Sequence, residues 1–247
     1  MIRIAQLKIV YHHNGHPFPM YPAILEDENG MVLVDCCFPG FADQLIQAGE
    51  KANFDLNNLT DVIVTHHDFD HFGGYESLKE KFPSIRLMAS SLQADYIDGS
   101  KTSLRVKMMQ EHETADRAVF PKRKRIPRDA FPPVRFAHVD VRLSDAQELP
   151  ICGGAVIVET PGHMPGHISI YMKQFKTLIS GDALVLRHGV LGLPDESSNI
   201  DHLQTRITAR KLSELDIKQI FCFHGGLYRS DHIREELISL SKKECRV

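Results

Sequence analysis

The sequence predicts an α/β protein in which two β-sheets pack against each other with helices on the outside. Three observations lead to this. Apolar strand runs occur in both halves of the chain, each half closes in helical periodicity, and strands and helices do not alternate simply as a doubly wound sheet requires. With 247 residues the chain can bury one large core. It reads as a single domain over 1–247 with a basic insertion at about 92–135.

Taken in order, Ile2–Tyr11 and Ala23–Glu26 read as strands, and Asp27-Glu28-Asn29-Gly30 as the hairpin turn into Met31–Asp35. Phe41–Lys51 carries a helical stripe of Phe41, Leu45, Ile46 and Ala48. The β-branched run Asp61–Thr65 is a strand, Phe72–Phe82 a helix and Ile85–Ala89 the next strand. Strand character returns at Val134–Leu143, Ala155–Glu159, His167–Met172 and Thr177–Ser180. A helix over Leu203–Leu215, a strand over Gln219–Phe223 and a helix over Asp231–Lys242 complete the chain. Between 101 and 135, ten Lys or Arg face four acids, so this stretch is locally about six charges positive. The segment from 92 reads as helical at first and then loop-like toward Pro127, Pro132 and Pro133, and it is either a solvated basic surface or a lid that draws in anionic substrates.

Composition narrows the function. A formal net charge of -3 argues against general nucleic-acid binding. No apolar run approaches the roughly 20 residues that cross a bilayer, and the first residues lack a signal-peptide pattern, so a cytoplasmic protein is expected. Five cysteines at 36, 37, 152, 222 and 245 form no CxxC pair and read as small buried hydrophobes.

Fourteen histidines are many for this length, and their placement carries the chemistry. Thr65-His66-His67-Asp68-Phe69-Asp70-His71 puts five ligand-type side chains into six positions between a strand and a helix. A loop there can aim several of them into one cavity, which a regular helix or strand cannot. Imidazole and carboxylate together suit Zn, Fe, Mn or Co. Three more strand ends finish the same way: Glu159-Thr160-Pro161-Gly162-His163, Ser180-Gly181-Asp182 and Phe223-His224. Any one of these could be an ordinary turn residue; four together imply strand ends converging on one edge. His67 is read as facing away from the metals. His167 is read as lying behind the ligands, facing substrate or serving structure. His12, His13 and His16, with Tyr11 and Phe18, form a polar-aromatic loop, and 188–198 is a candidate pocket wall.

These motifs resemble those of the metallo-β-lactamase superfamily: T-H-x-H-x-D-H, a His in a P-G-H-T-P-G-like loop, a bridging Asp and a last His. They map in order onto His66, Asp70, His71, His163, Asp182 and His224, and Asp35 resembles the early strand-end Asp that braces the metal loop. The resemblance implies an αβ/βα four-layer sandwich with a site for two divalent transition-metal ions, Zn ahead of Fe or Mn. Glyoxalase II and acyl-homoserine-lactone lactonases are similar in outline.

One departure stands out: Asp68 occupies the position of the second motif His. Either Asp68 binds the first metal with His66 and His163, or it only hydrogen-bonds and leaves that site weak. The flavodiiron proteins of the superfamily, with a Glu there, favour ligation. The second metal would take Asp70, His71 and His224, with Asp182 bridging.

The expected function is hydrolysis of a small ester, thioester or lactone by a metal-bridging hydroxide, with Asp70 orienting the nucleophile and relaying its proton. The substrate is a small molecule, and an anionic one if the basic segment acts as a lid. A phosphodiesterase or nuclease of the same fold, or a di-iron redox protein prompted by Asp68, are the competing readings. A non-catalytic metal-sensing role would leave the full ligand set unexplained.

Overall fold

The computed structural model describes residues 2–104, 107 and 133–242. Most of the basic segment, including Lys122, Arg123, Lys124 and Arg125, lies outside the described residues. The N-terminal half supplies β1 (Arg3–Gln6), β2 (Ile9–His13), β3 (His16–Met20), β4 (Ala23–Asp27), β5 (Gly30–Val34), α1 (Ala42–Lys51), β6 (Leu59–Ile63), α2 (Phe69–Phe72), α3 (Tyr75–Lys81), β7 (Arg86–Ser90), α4 (Ser91–Ile97) and β8 (Val141–Leu143). The C-terminal half supplies β9 (Glu148–Leu149), β10 (Ala155–Glu159), β11 (Ile168–Met172), β12 (Thr177–Gly181), β13 (Val185–Arg187), β14 (Val190–Gly192), α5 (His202–Leu212), β15 (Gln219–Cys222), β16 (Gly226–Arg229) and α6 (Ile233–Ser241). Among the described residues twelve of the sixteen strands form two six-stranded sheets, ordered β1-β4-β5-β6-β7-β8 and β16-β15-β12-β11-β10-β9, and β2–β3 and β13–β14 form two separate hairpins.

The strand period of two sorts the core. On β5, Met31 and Leu33 join Leu45 of α1 and Leu78 of α3, whereas Val32 and Val34 join Ile157, Ile170 and Ile179 of the other sheet. On β12 and β15, Ile179 and Phe221 enter that inter-sheet core, whereas Leu178 and Ile220 join Ala209, Leu212 and Leu237 of α5 and α6. The layer order is helix, sheet, sheet, helix, the four-layer αβ/βα sandwich. Each fully buried Leu or Ile in these layers stabilises it by about 1.5–3 kcal/mol relative to exposure.

Strand polarity then decides where a site can lie. β5, β6, β7 and β8 run parallel, so their C-terminal ends share one edge. In the second sheet β12 and β15 are parallel, and β10 points the same way because two antiparallel steps through β11 separate it from β12. The C-terminal ends of β5, β6, β10, β12 and β15 therefore meet at one rim. Ile168 donates to the Thr65 carbonyl at 3.2 Å, joining the two sheets there. A crevice beyond the carboxyl ends of strands is the usual ligand site of such sheets.

The structure revises several boundaries. Ile2–Tyr11 is two strands, β1 and β2, and the residues read as a polar-aromatic loop form the β2–β3 hairpin. Its turn, Asn14 and Gly15 at φ 50° and 75°, has the positive dihedrals of a type I′ turn. Of Val134–Leu143 only Val141–Leu143 is strand. The helical start expected of the segment from 92 is α4, but Gln93, Ala94 and Ile97 are buried, so this helix belongs to the core rather than to an insertion. Ser90 caps it, accepting from the Gln93 N–H.

The helix expected over Phe72–Phe82 is broken at Gly73 and Gly74 into α2 and α3. The cause is close approach: the loop after β5 lies against the break, with Gly74 N–H donating to the Cys37 carbonyl at 3.0 Å and Cys36 N–H to the His71 carbonyl at 2.7 Å. A Cβ on Gly74 would sit 2.0 Å from the Cys36 carbonyl oxygen. Gly74→Ala should thus destabilise by about 1–3 kcal/mol through overpacking. Urea denaturation of the metal-free protein checks this; an unchanged midpoint would show that the loop yields freely.

Candidate metal centre

The loop from His66 to His71 is shaped by a short cap. The Asp68 carbonyl accepts from the N–H groups of His71 and Phe72, so Asp68 stands at the N-cap of α2. Its carboxylate makes no capping bond and turns instead toward two imidazoles. Asp68 Oδ2 lies 3.5 Å from His66 Nε2 and 3.4 Å from His163 Nε2. On the other side, Asp70 Oδ2 lies 3.2 Å from His224 Nε2 and 3.9 Å from His71 Nε2. Between them stands Asp182. Its Oδ2 is 3.5 Å from His163 Nε2, and its Oδ1 is 3.4 Å from His71 Nε2 and 3.5 Å from His224 Nε2. All seven side chains singled out in the sequence meet at one rim. His66, Asp68 and His163 form one group and Asp70, His71 and His224 another, with one Asp182 oxygen facing each, and a third group of His66, His71 and Asp182 joins the two.

The imidazoles are aimed from behind. Asp35, at φ 63°, directs its carboxylate to accept from Thr65 N–H at 2.8 Å and from His71 Nδ1 at 2.8 Å. Asp tolerates this left-handed backbone better than most residues. The Thr65 hydroxyl also donates to Asp35, so toward His66 Nδ1, at 3.0 Å, it acts as acceptor. His163 Nδ1 faces Asn199 Oδ1 at 3.4 Å, and Asn199 is held by its Nδ2 donating to the Pro194 carbonyl. The Nδ1 atoms of His66, His71 and His163 are thus occupied and their Nε2 atoms are turned to the cavity, the arrangement that metal-binding histidines use.

His167 does not face substrate. The Ser180 carbonyl can only accept, so Ser169 donates to it at 3.1 Å. Thr160 then donates to Ser169, and His167 Nδ1–H to Thr160 at 2.8 Å. His167 Nε2 is left to accept the Asp182 N–H at 3.0 Å, which fixes the backbone of the central carboxylate. Burial, helped by the positive potential of His163, pushes the His167 pKa down to about 3, so it stays neutral. His67 also faces away, toward Gln93.

The electrostatics favour a cation. Burial pushes the His66 pKa well down, with His71 adding to the effect. At His71 burial pulls the same way, but the carboxylates of Asp182, Asp35 and Asp70 together outweigh it and raise the pKa well above the ordinary value. His224 is raised against burial by Asp182 and Asp70. Asp182 is held well below the usual carboxylate range, because His224, His71 and His163 outweigh its burial. A metal would compete with the protons that His71 and His224 retain beside these carboxylates, so binding releases them. The fit is also steric. His66 Nε2, His71 Nε2 and Asp182 Oδ1 are buried and make no hydrogen bond among the described residues. A cation placed among them would satisfy all three, and this trio draws on both sets. Three aspartates and four imidazoles suit divalent transition metals.

The sequence did not reveal Asn199 or Gln93, because an isolated amide carries no pattern. The candidate wall after Asp182 includes the β13–β14 hairpin, where Leu186 N–H donates to the His224 carbonyl. Opposite, Phe18 of β3 packs its ring 5.5 Å from that of His224.

Known proteins resemble the chain in sequence and in fold. The hydroxyacylglutathione hydrolase GloC of Haemophilus influenzae is 28% identical over 205 residues, covering 82% of this chain and 84% of its own. The uncharacterised protein YobT of Bacillus subtilis is 29% identical over 195 residues, covering 76% and 73%. A metallo-beta-lactamase from Pontibacter korlensis superposes with a TM-score of 0.66 over 98% of this chain and 95% of its own, at 15% identity, a likeness of fold. The profile of the metallo-beta-lactamase superfamily matches residues 21–224, from β4 through the last candidate ligand, and the chain belongs to that superfamily.

Proposed function

We propose that this chain is a binuclear metal-dependent hydrolase of small esters, thioesters or lactones. The observation that carries the reading is Asp182, whose two oxygens face two separate ligand sets. His66, Asp68 and His163 would hold one ion, Asp70, His71 and His224 the other, with Asp182 shared. Zn is the first expectation; the carboxylate of Asp68 hardens the first set and moves its preference toward Fe or Mn. When bound, two such ions lower the pKa of a shared water from 15.7 toward about 7 and polarise the carbonyl under attack.

The chain's own residues supply orientation and proton transfer. Asp70 is poised at the open side of the centre, its side chain 14% exposed, beside a 25% exposed His224. It is the group that takes the proton of the attacking water and returns it to the departing sulfur or oxygen. Among the described residues the cysteines offer no competing nucleophile: burial raises the Cys36 and Cys37 thiols well above their ordinary value, Cys152 to about 11 and Cys222 to about 12. A thioester is favoured within the class by the likeness to GloC, named a hydroxyacylglutathione hydrolase.

The metal-loaded protein should hydrolyse an acyl-glutathione thioester or a lactone and lose that activity to EDTA. Cleavage of a phosphodiester alone from a panel that also includes a β-lactam would replace this reading with a nuclease-type one. Elemental analysis of protein purified without chelator should give close to two equivalents of transition metal. Asp68→Ala should lower metal content and activity together, while Asp68→His should keep two ions and shift preference toward Zn. Unchanged metal content in the alanine variant would remove Asp68 from the ligand set.

A further inference from the structure

Gln93 is fully buried at the first turn of α4, an environment that amides seldom occupy without partners. Its orientation is fixed by groups of one polarity each. Oε1 accepts from the His67 backbone N–H at 2.7 Å, and Nε2 donates to the Pro165 carbonyl at 2.6 Å. His67 lies between His66 and Asp68 in sequence, and Pro165 lies two residues after His163. One amide therefore joins the two loops that carry the His66–Asp68–His163 set.

The surroundings tighten the same joint. His67 Nδ1 also meets Gln93 Oε1 at 2.7 Å, its Nε2 meets Ser103 Oγ at 3.1 Å, and its ring stacks on Tyr96 at 4.5 Å. Tyr96 follows Gln93 by three residues, on the same face of α4. Ser90, the cap of α4, donates to the Gly166 carbonyl at 2.5 Å. Gly166 has φ +70°, and a Cβ there would lie 2.8 Å from Leu92 Cβ, so the His163 loop rests directly on the helix start. Asp35 supports both sets, His71 directly and His66 through Thr65, while the Asp70 set is held besides by Cys36 N–H on the His71 carbonyl and Leu186 N–H on the His224 carbonyl.

We propose that Gln93, with Ser90, is a positioning residue that clamps the His66–Asp68–His163 set to α4 and sets the metal affinity of that set alone. This rests on the two-set reading above. Removing a partner of this kind typically costs about 10–100-fold in metal affinity.

The test is titration of the metal-stripped full-length protein with Co²⁺, followed by visible absorption. His224→Ala weakens the Asp70 set and leaves the clamped set whole; His163→Ala does the reverse. Adding Gln93→Met should weaken Co²⁺ binding about 10–100-fold in the first background. In the second it should change binding by less than about twofold. Ser90→Ala should move affinity in the same selective direction by a smaller factor, and serves if Gln93→Met does not fold. Equal losses in both backgrounds, as a general structural role gives, or losses in neither, overturn the clamp. Uptake of one Co²⁺ by the wild type would instead refute the two-set reading. The clamp then fails if Gln93→Met leaves the affinity for that single ion unchanged.

Discussion

Asp182 must keep its carboxylate, nearly buried at 9% side-chain exposure, within 3.5 Å of three imidazoles, and most of the architecture around the rim answers to that requirement. The residue sits just past the end of β12. His167 holds its N–H, and the Thr160–Ser169–Ser180 chain leaves His167 only one tautomer with which to do so. A Cβ on Gly181 would come within 2.8 Å of both His167 Nε2 and Thr65 Oγ1, so only glycine lets the two sheets close around this point. The parity of strand directions then does the rest, because it delivers the ends of β6, β10 and β15 to the same edge as β12.

Such a site stands against the stability of the empty fold. Three aspartates and four histidines converge where water is largely excluded, and three of their polar atoms make no hydrogen bond among the described residues. The surrounding layers carry this cost with ordinary apolar burial, and the braces are themselves satisfied: Asp35, Asn199, Gln93 and His167 each hold a hydrogen-bond partner behind a ligand. Rigid supports with unsatisfied tips are what a metal centre requires, and a cation recovers the deficit when it binds.

Much of this was legible in the sequence because the chemistry sits at strand ends. His66, Asp70, His71, His163, Asp182 and His224 each follow an apolar run, and the Asp68 departure was visible as an aspartate standing where the family motif has its second His. The structure brings Asp68 to His66 and His163. What stayed hidden lacks periodicity. Pro17 and Pro19 disguised β3, although Asn14-Gly15 was available as a type I′ signal. The helical start of the segment from 92 was legible, but its burial as α4 was not, because seven residues anchored by a cap and one amide carry no long apolar stripe. The break at Gly73-Gly74 depends on a loop from residues 36–38, which no local pattern in 72–82 could disclose.

The central claim is that one carboxylate joins two ligand sets, and anomalous X-ray diffraction from crystals of the metal-loaded protein tests it most directly. Data collected at the absorption edge of the bound metal should show two peaks, one among His66, Asp68 and His163 and one among Asp70, His71 and His224. Each should lie within bonding distance of a different Asp182 oxygen. A single peak under saturating metal, or two peaks with Asp182 ligating only one, would contradict the account.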